Sequence, residues 1–155
     1  IRANIGSLGF WLGDEGSGGY LGKQWVVRFL HGELPTELSL AFAEVYPKLD
    51  RFVVLENAYH KPFPNRYFAA FTPFLGAHAS HPYVRAFVLE AFDLFLSKYV
   101  GPHTDATSLA VSFVGSVAYH FRELLQESLQ KKALRLGSVQ KSPIEGLLKY
   151  HNSYS

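Results

Sequence analysis

The sequence predicts an α/β fold in which a long helical segment precedes a strand-helix-strand-helix run. Three observations predict it. Apolar residues recur at helical spacing from Tyr20 to Tyr99, interrupted by Gly and Pro, which is the mark of helices in series. A short β-branched and aromatic run, Ser108 to Val114, then stops at Gly115-Ser116 and is followed by another helical stretch. Finally, Ala133 to Val139 reads as a second strand ahead of a closing helix.

Taken in order, Ile1 to Gly13 and the glycine-rich stretch to Gly19 read as loop. Tyr20, Leu21, Trp25, Val26, Phe29 and Leu30 then place a helix over 15–31, stopped by Gly32 and Pro35. Thr36 is suited to cap a second helix that Pro47 ends, and Asp50 to Tyr59 reads as a third. Pro62 and Pro64 make a turn, because each fixes φ and lacks an N–H. Arg66 to His78, apolar on most faces, reads as a buried helix, and His81-Pro82 opens a long amphipathic one through Tyr99 that Gly101-Pro102 ends. After the first strand a helix is expected over 117–131, and Ser142-Pro143 caps the last one, Ile144 to about Tyr150. There is no internal repeat, and one α/β unit carrying a helical insertion fits the pattern. Two short strands make a poor sheet, so further strands are expected upstream. A chain that starts at Ile1 and contains no Met agrees with a fragment of a longer product.

At 155 residues the chain is long enough to bury a core. No apolar run approaches the ~20 residues of a membrane-spanning helix, so no membrane partner is expected. The net charge is +2, with Lys and Arg scattered among acidic residues, which argues against a nucleic-acid surface and for small polar ligands. The absence of Cys excludes disulfides, thiolate metal sites and a thiol nucleophile in this stretch. No secretory leader is visible, and a cytoplasmic setting is the default. The histidines form no i, i+4 ligand pair with a third acid, so no metal site is expected; His31, His60 and His81 lie at element boundaries, where rings ordinarily bond the backbone.

The chemistry concentrates in Gly13-Asp14-Glu15-Gly16-Ser17-Gly18, where two carboxylates and a hydroxyl stand among glycines ahead of a helix. Glycines let backbone N–H groups approach a ligand, and carboxylates accept hydrogen bonds from sugar hydroxyls. The alternative is that Asp14 or Glu15 merely caps the helix. A second candidate is Phe113 to Ala118, a strand-to-helix turn whose Gly115 admits a ligand close to the backbone; such turns also occur with no ligand. A third is Ser142 to Leu148, where Glu145 opposes a helix dipole and Gly146 permits close packing.

Leu8 to Gly22 as a whole resembles the signature loop of the N-acetylglucosamine kinase and acyl-CoA-dehydratase-activator group of actin-like ATPases. The resemblance implies that Asp14 binds sugar hydroxyls, that Gly9 and the backbone of Gly16, Ser17 and Gly18 shape the pocket, and that Glu15 supports the loop. Mammalian sugar kinases have Trp at the position of Leu8, so a contact from that ring is not implied. The Gly115-Ser116 turn with Ala118 resembles the family's adenosine motif, and Pro143 to Leu148, with Glu145, its closing segment beside the nucleotide. Tyr59 to Phe71 resembles a stretch joining two insertion helices in bacterial members.

The implied fold is a ribonuclease H-like, actin-like ATPase domain, the C-terminal one, over 1–155, with a helical insertion at about 20–100 and a nucleotide side at 107–152. Its sheet is incomplete here, and the N-terminal domain lies outside this chain, along with the Asp that positions Mg²⁺ and the general-base Asp. The implied function is phosphoryl transfer from ATP to an amino-sugar hydroxyl, N-acetylglucosamine first, with ATP and Mg²⁺ as cofactors and this chain alone inactive. A homodimer is compatible with the family habit. Two rivals share the fold: an activator ATPase of a 2-hydroxyacyl-CoA dehydratase, which needs cluster-ligating Cys, and a non-catalytic sugar or nucleotide sensor.

Overall fold

The computed structural model describes residues 3–152, apart from the side chains of Glu145, Lys149 and His151. It is an α/β structure whose chain divides into two compact units, Ile5–Ala91 and Phe92–Ser155 with Ile1–Asn4. No described helix is long and apolar enough to cross a membrane.

The Ile5–Ala91 unit is helical. A short α1 (Gly9–Leu12) precedes α2 (Gly18–Leu30), which starts three residues later than the spacing predicts because Asp14 and Gly16 take left-handed backbone that cannot join a helix. Ser17 caps α2 by accepting from Tyr20 N at 3.0 Å. One face of α2 buries Leu21, Trp25 and Val26. The next helix, α3 (Thr36–Val45), has Pro35 at its N-cap, so Thr36 is its first residue and not its cap. In α4 (Arg51–Tyr59), Asp50 caps through Val53 N at 2.8 Å, and only Val54 and Ala58 are buried.

The single helix expected over 66–78 is two, α5 (Pro64–Ala69) and α6 (Thr72–Ala77). Pro73 explains the break: it cannot donate to a preceding turn, but it fits the first turn of a new helix. A long α7 (Pro82–Phe95) follows, with His81 Nδ1 accepting from Tyr83 N at 3.1 Å. The same ring meets the Glu37 carboxylate through Nε2 at 3.1 Å, so the backbone bond expected at this boundary is present and an ion-pair partner joins it.

Trp25 is the centre of this unit's core, fully buried among the rings of Phe42, Phe74, Tyr83 and Phe87 at centroid distances of 5.4–6.2 Å. Gly22, on the same helix, faces α5 so closely that a Cβ there would lie 1.8 Å from the Phe68 carbonyl oxygen. Only a side chain of one hydrogen fits. Gly22→Ala is therefore expected to push α2 and α5 apart and to cost stability at the upper end of the ~1–3 kcal/mol typical of overpacking. Thermal unfolding checks this; an unchanged Tm would contradict the close packing.

In the Phe92–Ser155 unit, the chain leaves α7 through a π-helical turn, Leu96–Val100, closed by Gly101 N donating to Leu96 O at 2.7 Å. Two strands, β1 (Ala110–Val114) and β2 (Arg135–Gln140), pair in parallel, Val111 opposite Leu136 and Phe113 opposite Val139. The register slips between these pairs, and there the Ser112 hydroxyl accepts from Ser138 N at 3.1 Å. Parallel pairing requires a crossover. It is made by α8 (Ser116–His120) and α9 (Arg122–Lys131), two helices where one was expected over 117–131, because Phe121 departs from helical geometry (φ −105°, ψ 30°) with its ring buried. The closing helix is α10 (Ile144–Asn152). None of the residues in β1 or β2 is buried.

Candidate functional site

The loop from Gly9 to Gly18 is one structured piece. The α1 turn closes with Gly13 N donating to Gly9 O at 2.9 Å, and the next turn with Ser17 N donating to Asp14 O at 3.0 Å. Asp14 has φ 69° and Gly16 φ 79°, left-handed positions that Asp tolerates and Gly takes freely. The consequence is directional. With its backbone turned this way, Asp14 places one carboxylate oxygen, Oδ2, 2.7 Å from the Ser17 hydroxyl, which donates to it.

A relay results in which Tyr20 N donates to Ser17 Oγ and Ser17 Oγ donates to Asp14 Oδ2. It separates the two roles that the sequence left open: Ser17, not Asp14 or Glu15, caps α2. Asp14 is half-buried and held, and among the described residues no hydrogen bond reaches its other oxygen. Glu15 beside it is buried, 7% exposed, and engaged. Gly18 begins α2, its carbonyl accepting from the Thr72 hydroxyl at 3.1 Å. Gly9, Asp14, Glu15, Gly16, Ser17 and Gly18 are thus gathered in one loop.

Aromatic rings line the neighbourhood. Phe10 stacks on Phe68 at 5.9 Å, and Trp11 stacks on Tyr59 at 5.7 Å with their planes 8° apart. Lys23 reaches back from α2 to donate to the Phe10 carbonyl at 3.1 Å, its Nζ 4.7 Å from the Phe10 centroid and 5.8 Å from that of Trp11. Burial pushes the Lys23 ammonium below the usual lysine range, against the opposing pull of Asp14 and Glu15. Sequence reasoning missed Lys23 and Tyr59 as neighbours of the loop and gave Trp11, within Leu8 to Gly22, no role of its own. Gly19, one turn before Lys23 on the same helix face, also packs against Phe10: a Cβ there would meet the Phe10 ring at 3.2 Å.

The second candidate sits where β1 ends. Gly115, at φ 143° and ψ 155°, occupies backbone space that is essentially glycine's alone. Its N–H donates to Gln140 O at 2.8 Å, tying the carboxyl ends of the parallel strands together, and its carbonyl accepts from Tyr119 N at 3.1 Å. Among the described residues, its two chain neighbours aside, no atom lies within 4 Å of where its Cβ would be. Ser116 is exposed, Ala118 is half-buried, and the ring of Tyr119, 50% exposed, has Lys141 Nζ 5.9 Å from its centroid. Tyr119, Gln140 and Lys141 were not singled out from sequence. Glu145 lies in the first turn of α10 as expected, but its side chain is outside the described residues. Among the described residues no three His, Asp or Glu side chains gather as a metal site.

No protein-family model and no curated protein matches the chain. A solved structure does: a protein from Porphyromonas gingivalis described as a proposed N-acetylglucosamine kinase is 43% identical and superimposes with a TM-score of 0.91. The match covers 99% of this chain and 53% of that one, so the present chain spans about half the length of the protein it matches.

Proposed function

We propose that this chain, similar along its whole length to about half of a protein described as a proposed N-acetylglucosamine kinase, is the C-terminal part of an ATP-dependent sugar kinase with a ribonuclease H-like, actin-like fold. The full protein would transfer the γ-phosphate of ATP to a hydroxyl of an amino sugar, with N-acetylglucosamine the first candidate. The observation that carries this reading is Asp14: a half-buried carboxylate, fixed through one oxygen by Ser17 and able to accept sugar hydroxyls at the other. Fixing the acceptor in advance lowers the ordering cost of binding a hydroxyl-rich ligand. Gly9, Glu15, Gly16, Ser17 and Gly18 are proposed to shape that pocket.

ATP is proposed to pack its adenosine against Gly115, Ser116 and Ala118, where parallel strands end and ligands of open α/β sheets commonly bind. Glu145 is proposed to lie nearby. Mg²⁺ is assigned no ligand in this chain, where no three His, Asp or Glu side chains gather among the described residues; it would neutralise phosphate charge when held by residues elsewhere in the protein. In the same reading, strands outside this chain complete the sheet, which accounts for β1 and β2 having no buried residue.

ADP release by the full-length protein with Mg²⁺ and ATP tests the proposal across N-acetylglucosamine, glucosamine, N-acetylmannosamine, N-acetylmuramic acid and glucose. Sugar-dependent release is expected, greatest with an N-acetylated hexosamine. ATP binding with no sugar response would turn the assignment to an activator or a sensor. Gly115→Val separately tests the nucleotide side. A β-branched residue cannot hold φ 143° without strain and would fill the space beside the turn, so ATP affinity should fall at least ~10-fold while sugar affinity holds. Unchanged ATP affinity would remove the adenosine assignment.

A further inference from the structure

We propose that Lys23 is the positioning residue of the sugar-binding loop: its ammonium pins the Phe10 carbonyl to α2 and so sets where Asp14 meets the substrate. The inference rests on the sugar-kinase reading and extends it to a residue outside the signature's glycines and carboxylates.

The geometry is specific. Lys23 Nζ donates to Phe10 O at 3.1 Å and stands beside the rings of Phe10 and Trp11, the two aromatic residues of α1. From Phe10 to Asp14 is four residues, through the buried Gly13, whose N–H is itself bonded to Gly9 O. A displacement of α1 therefore carries into the Asp14 turn. The loop also holds two adjacent carboxylates, one of them buried, and the Lys23 charge acts on both. A cation placed here opposes their mutual repulsion while its hydrogen bond holds the backbone. Phe10 also stacks on Phe68 and Trp11 on Tyr59, so α1 is held by those rings as well as by the Lys23 side chain. Lys23 touches the loop and not the reacting atoms, which makes it a positioning group.

The test compares Lys23→Met and Lys23→Arg in the full-length protein by steady-state kinetics and by amide exchange over residues 9–17. Met keeps the apolar stem and removes the charge and donor; Arg restores both. Lys23→Met is expected to raise the sugar KM at least roughly tenfold, the lower end of what one charge-assisted hydrogen bond is worth. The ATP KM and the Tm should stay near the parent's, exchange in the loop should quicken, and Lys23→Arg should recover most of the sugar KM and of the protection. An unchanged sugar KM in Lys23→Met, equal losses for sugar and ATP, or failure of Arg to recover more than Met would overturn the proposal. If the parent protein shows no sugar response at all, the kinase reading fails on its own, and exchange alone decides: faster in Met and restored in Arg sustains the pin, and equal rates in all three end it.

Discussion

Asp14→Asn in the full-length protein is expected to lower sugar-dependent phosphate transfer roughly 100-fold or more while ATP binding and thermal stability stay close to the parent's. The expectation follows from geometry. Asp14 sits at φ 69°, where Asn is among the few residues tolerated, and an amide oxygen can still accept from Ser17, so the turn and the α2 cap survive. What is lost is the charged acceptor. Hydrogen bonds to a charged group are worth ~1.5–3 kcal/mol each, so losing one or two from the transition state lowers kcat/KM by roughly 100-fold or more. Asp14→Ala should lose as much activity and in addition some stability, because Ala pays ~1–2 kcal/mol in left-handed backbone. If Asp14→Asn lowers ATP affinity and Tm as much as turnover, Asp14 holds the loop together and does not hold the sugar.

Trp25→Ala is expected to remove about 3–5 kcal/mol of stability, the range for truncating a large aromatic side chain in a core. Trp25 has no exposed surface and meets four rings contributed by α3, α6 and α7, so deletion leaves a cavity that no single helix can close. Trp25→Phe should cost much less, for two reasons. It refills most of the space, and it deletes the indole N–H, which is buried and has no hydrogen-bond partner among the described residues. Chemical denaturation of the three proteins checks this, and equal losses for Ala and Phe would show that the ring is not the centre of the helical unit's core.

The helices with a clear apolar face were legible in the sequence. Leu21, Trp25 and Val26 mark α2, Leu38 and Phe42 mark α3, and all five are buried as their spacing implies. Both strands were legible too, β1 from a β-branched and aromatic run that stops at Gly115 and β2 more weakly, because its run holds a single β-branched residue, Val139, and Gly137, which hid the slip in register opposite Ser112. Breaks inside apolar runs were less visible. Pro73 should have divided 66–78, but apolar residues on both sides masked it; Phe121 and the π-helical turn at Leu96–Val100 carry no local signal, because tertiary packing sets them.

In the candidate site, the glycines and acids of 13–18 drew notice because few other structures need them together. Their division of labour did not. Whether Ser17 or Asp14 caps α2 depends on which residue turns left-handed, a choice visible only once the backbone is traced. Lys23 was hidden for a different reason: its partner is a main-chain carbonyl thirteen residues back, and carbonyls leave no trace in side-chain patterns.

Whether Asp14 holds a sugar for phosphoryl transfer is decided by following labelled γ-phosphate from ATP to N-acetylglucosamine in the full-length protein, with Asp14→Asn run beside it. A labelled sugar phosphate is expected from the parent protein, forming at least roughly 100-fold more slowly in the variant. Label appearing only as free phosphate, at the same rate with and without sugar and in both proteins, would contradict it.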